Sequence, residues 1–212
     1  MNNKKNWWIL LLVSLGVIMP FIAPYLTVNP SNSRIEIVSE TIQYPALIAH
    51  IFFAFIALIS GFLQFSNRLR NEKPQLHRLF GRVYVFSVLI SGLLALVVIM
   101  YVDNFAKATS FITLTVIWLF TSWKGYSTAR QRNFSDHRKW MIRSFGVTLV
   151  AVSGRLIVPI LLLTYFLLNG FSLPDGREKM VEEVLNVNIW VGLVINLIII
   201  EWIILSKKKI TK

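Results

Sequence analysis

Residues 43–65 read QYPALIAHIFFAFIALISGFLQF, with no Asp, Glu, Lys or Arg among them. At about 1.5 Å of rise per residue such a stretch reaches across roughly 30 Å of hydrocarbon. The reading is a membrane-crossing helix. Outward from it, further apolar runs occupy 7–27, 80–101, 109–123, 140–168 and 187–206. The run at 109–123 is the weakest, because Thr109, Ser110, Thr113, Thr115, Thr121 and Ser122 dilute it. The run at 140–168 is too long for a perpendicular crossing and contains Pro159, which predicts a tilt, a bend near that proline or an interfacial first turn. Whole-chain composition agrees: 212 residues, 55% hydrophobic, 15% charged, with a mean hydropathy of +0.62. The implied fold class is all-α, a polytopic six-helix transmembrane bundle with both ends on one side, forming one integral membrane domain over residues 1–212. No cleavage-site pattern follows the first run, so it reads as an uncleaved anchor.

The formal charge of +12 invites a nucleic-acid reading, and its distribution argues against one. Of the 22 Lys and Arg, seventeen fall on one predicted side: Lys4, Lys5, Arg68, Arg70, Lys73, Arg78, Arg82, Lys124, Arg130, Arg132, Arg138, Lys139, Arg143, Lys207, Lys208, Lys209 and Lys212. Arg34, Lys107, Arg177 and Lys179 fall on the other side, and Arg155 lies inside a span. Cytoplasmic loops are enriched in Lys and Arg, so both termini are expected in the cytoplasm of a bacterial cytoplasmic (inner) membrane. The partners this implies are the lipid bilayer and anionic headgroups at the cytoplasmic face, with no nucleic acid.

Absent residue types narrow the chemistry. Zero Cys excludes disulfides, thiolate metal sites and cysteine nucleophiles, leaving three His as the strong nitrogen ligands. No H-E-x-x-H, G-x-S-x-G or G-x-x-x-x-G-K-[ST] pattern occurs, which disfavours a zinc protease, a serine hydrolase or a nucleotide-driven machine.

Two cytoplasmic helix entrances echo one another. One reads Pro74-Gln75-Leu76-His77-Arg78-Leu79-Phe80-Gly81-Arg82, the other Ser135-Asp136-His137-Arg138-Lys139-Trp140-Met141-Ile142-Arg143. Pro74 suits a first helical turn and Asp136 suits a helix start. Helix-start N–H groups beside Arg78, Arg82, Arg138 and Arg143 form a candidate anion cradle, and His77 and His137 at equal depth are candidate metal ligands. Inside the spans, His50, Ala54, Ala57, Gly61 and Gln64 share one helical face. Tyr84 continues that polar theme in the next span, as Ser144, Thr148 and Arg155 do in the fifth. Arg155 shares a depth with His50, so it is expected to face the bundle near His50 or to snorkel to the outer surface, while Glu201 is expected near Lys207 or the basic loops. The Ile-, Leu- and Val-rich first and last spans look peripheral.

The run His50-x10-Gly61-x2-Gln64, then Leu69-Arg70, then Pro74-x2-His77-Arg78-x2-Gly81-Arg82-x-Tyr84, then His137-Arg138-x-Trp140-Met141-x-Arg143 and Arg155 resembles a widespread family of bacterial membrane proteins known as a predicted-membrane-protein domain of unknown function. No activity carries over from that resemblance. The layout is more loosely similar to b-type cytochromes of the ferric reductase kind. One outer and two inner histidines rule out two bis-His haems, and a single b-type haem between His77 and His137 stays feasible.

Three functions fit these residues. One is a redox protein that binds one b-type haem or a quinone and works with a membrane redox partner. Another is a transporter-like protein handling a small molecule or lipid along the His50–Gln64 stripe. The third is a membrane scaffold or assembly factor in which these side chains only pack helices.

Overall fold

The structure, a computed structural model, describes residues 4–208; Lys209 and Lys212, counted above with the cytoplasmic charge, lie outside the described residues. Among the described residues the chain is helical and contains no strand. Its helices are α1 (Lys4–Ile22), α2 (Gln43–Gln64), α3 (Asn67–Glu72), α4 (Pro74–Ile99), α5 (Phe105–Arg130), α6 (Phe134–Thr148), α7 (Val150–Leu156), α8 (Val158–Leu168) and α9 (Gly176–Lys208). Five helical stretches are long and apolar enough to cross a membrane: 6–27, 43–64, 74–99, 105–130 and 176–206. The pair α7 and α8, bent by 41°, makes a sixth if read as one broken span.

Local chemistry accounts for these boundaries. Ser66, Asn104 and Asn133 cap α3, α5 and α6 by accepting from the main-chain N–H groups of Leu69, Lys107 and Asp136. The cap of α6 is therefore Asn133, and Asp136, expected near the helix start, occupies the first turn. The 140–168 run is divided at Leu149 and Ile157. Pro159 has no N–H to donate and its ring crowds the preceding turn, which accounts for the bend beside it. The hydroxyls that diluted 109–123 do not interrupt α5. Thr109 donates to Phe105 O at 2.8 Å and Thr121 to Ile117 O at 2.7 Å, so these two are satisfied within the helix, whereas Ser122 Oγ is buried without a partner among the described residues.

Side-chain contacts fix how the helices run. α2 and α4 form an antiparallel hairpin joined at one end by Gln64 Nε2 donating to His77 O at 2.8 Å, and at the other by His50 and Ser91. Trp7 on α1 stacks edge-on with Phe62 on α2, and Arg143 on α6 meets Glu201 on α9. At the opposite end Trp190 of α9 donates to Ala106 O of α5 at 3.1 Å. Arg68, Arg70, Lys73, Arg78, Arg82, Arg130, Arg132, Arg138 and Lys139 thus gather at one end of the bundle.

The interior holds Phe62, Tyr84, Val88, Trp118, Phe145 and Val147, and Ser14, Ser91, Ser110 and Ser144 are wholly buried. Leu12, Phe52, Phe86, Leu93, Val116, Ile160 and Ile198 point outward and exposed. Small polar groups inside and large apolar groups outside is the arrangement of a bundle packed in lipid. α9 is less peripheral than its composition implies. Asn188 donates to Gly154 O at 3.0 Å and Asn196 to Gly146 O at 2.9 Å. A Cβ on Gly192 would stand 2.9 Å from the Gly154 main chain, so α9 and α7 touch backbone to backbone.

Candidate functional site

The polar stripe of α2 is spent on α4. A carbonyl oxygen only accepts, so His50 Nδ1 carries the proton and donates to Ser91 O at 2.9 Å. Ser91 Oγ, also 2.9 Å from Nδ1, donates to His50 O at 3.0 Å. At the charged end Gln64 bonds His77 O and lies against Gly81, where an added Cβ would meet Gln64 Oε1 at 3.3 Å. Gly61, between them, admits the rings of Phe145 and Tyr84: its Cβ would fall 2.5 Å from Phe145 and 3.1 Å from Tyr84.

His77 and His137 come to the same end of the bundle, within electrostatic range of one another. His137 Nδ1 donates to Gly125 O at 2.7 Å, which fixes the ring and leaves Nε2 as its uncommitted nitrogen. His77 Nδ1 is buried without a partner among the described residues. Both imidazoles are half-buried. Two turns above them, about 10 Å along each helix, stand Tyr84 and Ser144. Tyr84 Oη lies 2.8 Å from Ser144 Oγ, so α4 and α6 are held at matched height on the faces that carry the two histidines.

Tyr84 is fully buried and also bonds Thr148 Oγ1 at 2.9 Å, which accepts from Trp118 Nε1 at 2.9 Å. Thr148 in turn donates to Ser144 O at 3.1 Å. Sequence reasoning singled out Tyr84, Ser144 and Thr148 and missed Trp118. Its signal was position: an indole in mid-span, far from the interface, must find an acceptor for its N–H inside the bundle.

The arginines separate into two kinds. Arg143 is engaged, its Nε and Nη2 donating to Glu201 at 2.6 and 3.0 Å, with its guanidinium 4.7 Å from the Trp140 ring centroid. Glu201, expected near Lys207 or the basic loops, meets Arg143, and it neutralises one member of the expected anion cradle. Arg78, Arg82 and Arg138 are exposed and make no ion pair among the described residues. Beside them Lys139, at 2.7 Å, and Asn133 donate to Asp136 and hold its carboxyl below the usual carboxylate range. Arg155 does not reach His50's hydrogen-bond network. It bonds Ala151 O of its own helix and lies over the Phe21 ring of α1.

Residues 47–204 match the family model described as predicted membrane protein, DUF2306. The chain belongs to that family. No curated protein and no solved structure matches it. The stretch shared with the DUF2306 family runs from just before His50 to just past Glu201, so it takes in every candidate residue above. Among the described residues no group of three or more His, Asp or Glu converges as a metal-ion cage would require. What this DUF2306 chain brings together is two imidazoles, one of them oriented by a main-chain carbonyl, beside three unpaired arginines.

Proposed function

We propose that this chain is a redox protein of the bacterial cytoplasmic membrane, a single membrane domain that holds one b-type haem between His77 and His137. The observation that carries the reading is the bond from His137 Nδ1 to Gly125 O at 2.7 Å. Ligating histidines as a rule donate their second ring nitrogen to a carbonyl or carboxylate, which fixes the tautomer and aims Nε2 at the metal. The residues fit such a group by their chemistry: His77, whose Nδ1 has no partner among the described residues, and His137 would hold the iron, and the exposed Arg78, Arg82 and Arg138 would take the carboxylates. When bound, the haem supplies one-electron chemistry.

The chain's own residues do the rest. The Tyr84–Ser144–Thr148–Trp118 cluster sets the spacing of α4 and α6, and Phe62, Phe65 and Phe145 stack into an apolar layer that keeps water out. Positive charge concentrated at the histidine end supports a cytoplasmic location for it. A transport path along α2 finds less support, since both ends of its stripe are bonded to α4.

The test is an optical spectrum of the purified protein, air-oxidised and dithionite-reduced. A Soret band with sharpened alpha and beta bands on reduction is expected in the wild type and in His50→Ala, and is absent from His77→Ala and His137→Ala. Colourless protein from haem-replete cells overturns the reading.

A further inference from the structure

At the end of the bundle remote from His77 and His137, two guanidinium groups converge on one ring. Arg34 Cζ lies 4.8 Å and Arg155 Cζ 4.4 Å from the centroid of Phe21. Arg34 is held there by α1 and the turn that follows it: Nη2 donates to Pro20 O at 3.0 Å, and its main-chain N–H donates to Tyr25 Oη at 3.2 Å. Arg155 is held by its bond to Ala151 O, and its Nε is buried with no partner.

Cation–π contacts and carbonyl bonds orient these groups without neutralising them. Among the described residues neither arginine makes an ion pair, and Glu36 and Glu40, on the same loop as Arg34, are exposed and unpaired as well. Two like charges set against one ring raise one another's cost at the edge of a low-dielectric layer. An acceptor-rich anion relieves that cost. Each guanidinium presents five donors in a planar fork, and most remain uncommitted here, a match for the oxygens of a phosphate.

We infer that Arg34 and Arg155 form a binding site for a phosphate-bearing anion beside Phe21. The site sits at the water–hydrocarbon boundary, where phosphate reaches it as a phospholipid headgroup or as a free ion. It is independent of the haem reading, since it shares no residue with it and lies at the other end of the molecule.

The test titrates delipidated, detergent-purified protein with short-chain phosphatidylglycerol and with inorganic phosphate, following thermal unfolding. Phosphatidylglycerol is expected to stabilise the wild type, with apparent affinity about tenfold or more weaker in Arg34→Gln and in Arg155→Gln. Arg68→Gln, at the other end, responds as the wild type does. If Arg155→Gln does not fold, Arg34→Gln, on an exposed loop, carries the test. Equal stabilisation by inorganic phosphate assigns the site to a free anion, and stabilisation by the lipid alone assigns it to a headgroup. An equal response to short-chain diacylglycerol, which has no phosphate, or unchanged affinity in the arginine variants overturns the inference.

Discussion

His137 Nδ1 lies 2.7 Å from the carbonyl oxygen of Gly125, so an imidazole ties the first turns of α6 to the end of α5. Gly125 allows this because the helices are close: a Cβ there would stand 2.6 Å from Met141 Sδ. Methionine is flexible, so Gly125→Ala is expected to cost under about 1 kcal/mol. Gly125→Leu must push α6 away, with a cost of about 1–3 kcal/mol and loss of the His137 bond. Thermal unfolding in detergent separates the two variants. A Gly125→Leu protein as stable as the wild type would show that the helices are not in contact there.

Tyr84 is the hub of the buried polar cluster, and its hydroxyl bonds both Ser144 and Thr148. Tyr84→Phe keeps the ring that fills the space beside Gly61 and removes only the oxygen. The expected cost is about 1–2 kcal/mol, the range for one lost buried hydrogen-bond partner. Adding Ser144→Ala to Tyr84→Phe should cost less than the sum of the single changes, because the two groups share a bond. Strict additivity in that cycle would mean that the hydroxyls do not meet.

Much of this was legible before any coordinates. The apolar runs announce their helices, because in hydrocarbon only a helix satisfies its own main chain, and the length of the run then sets the crossing. Pro159, with no N–H to donate, allowed a tilt, a bend or an interfacial first turn in its overlong run, and the bend is what the chain makes. The polar stripe of α2 was legible as a face, since helical periodicity is local. Its partners were not: that His50 bonds Ser91, and that Arg155 lies over Phe21, depends on how helices far apart in sequence rotate against one another. The role of α9 was hidden for a different cause. Asn188, Gly192 and Asn196 recur at four-residue intervals on a helix otherwise rich in Ile, Val and Leu, and an average over composition conceals one narrow polar face.

The ends of the bundle differ in charge, and that difference makes a prediction about orientation. Reporter fusions after Arg132 and after Lys212 are expected to report cytoplasm, and a fusion after Tyr101 the opposite compartment. These three points sample the α5–α6 turn, the carboxyl terminus and the α4–α5 turn. A non-cytoplasmic signal at Arg132 or Lys212 would break the six-crossing arrangement.

Arg143 and Glu201 are the one ion pair that joins distant helices among the described residues, and their side chains are 23% and 44% exposed. Both oxygens of Glu201 are engaged, by Nε at 2.6 Å and Nη2 at 3.0 Å, which is the two-pronged geometry of a strong guanidinium–carboxylate contact. Removing the arginine alone leaves a carboxylate at the edge of the bilayer with no partner, so Arg143→Gln is expected to cost about 1–3 kcal/mol, between the values for exposed and buried pairs. Glu201→Gln strands the arginine less, because its stem lets it reach headgroups and its ring contact with Trp140 remains. The double variant Arg143→Gln with Glu201→Gln should recover much of the loss, since two amides in place of two charges leave no unpaired ion. The measurement is unfolding in mixed micelles for the wild type, both single variants and the double. Recovery in the double variant identifies the pair as a coupled unit that clamps α9 to α6, whereas a double variant worse than either single would mean that each charge acts through some other contact.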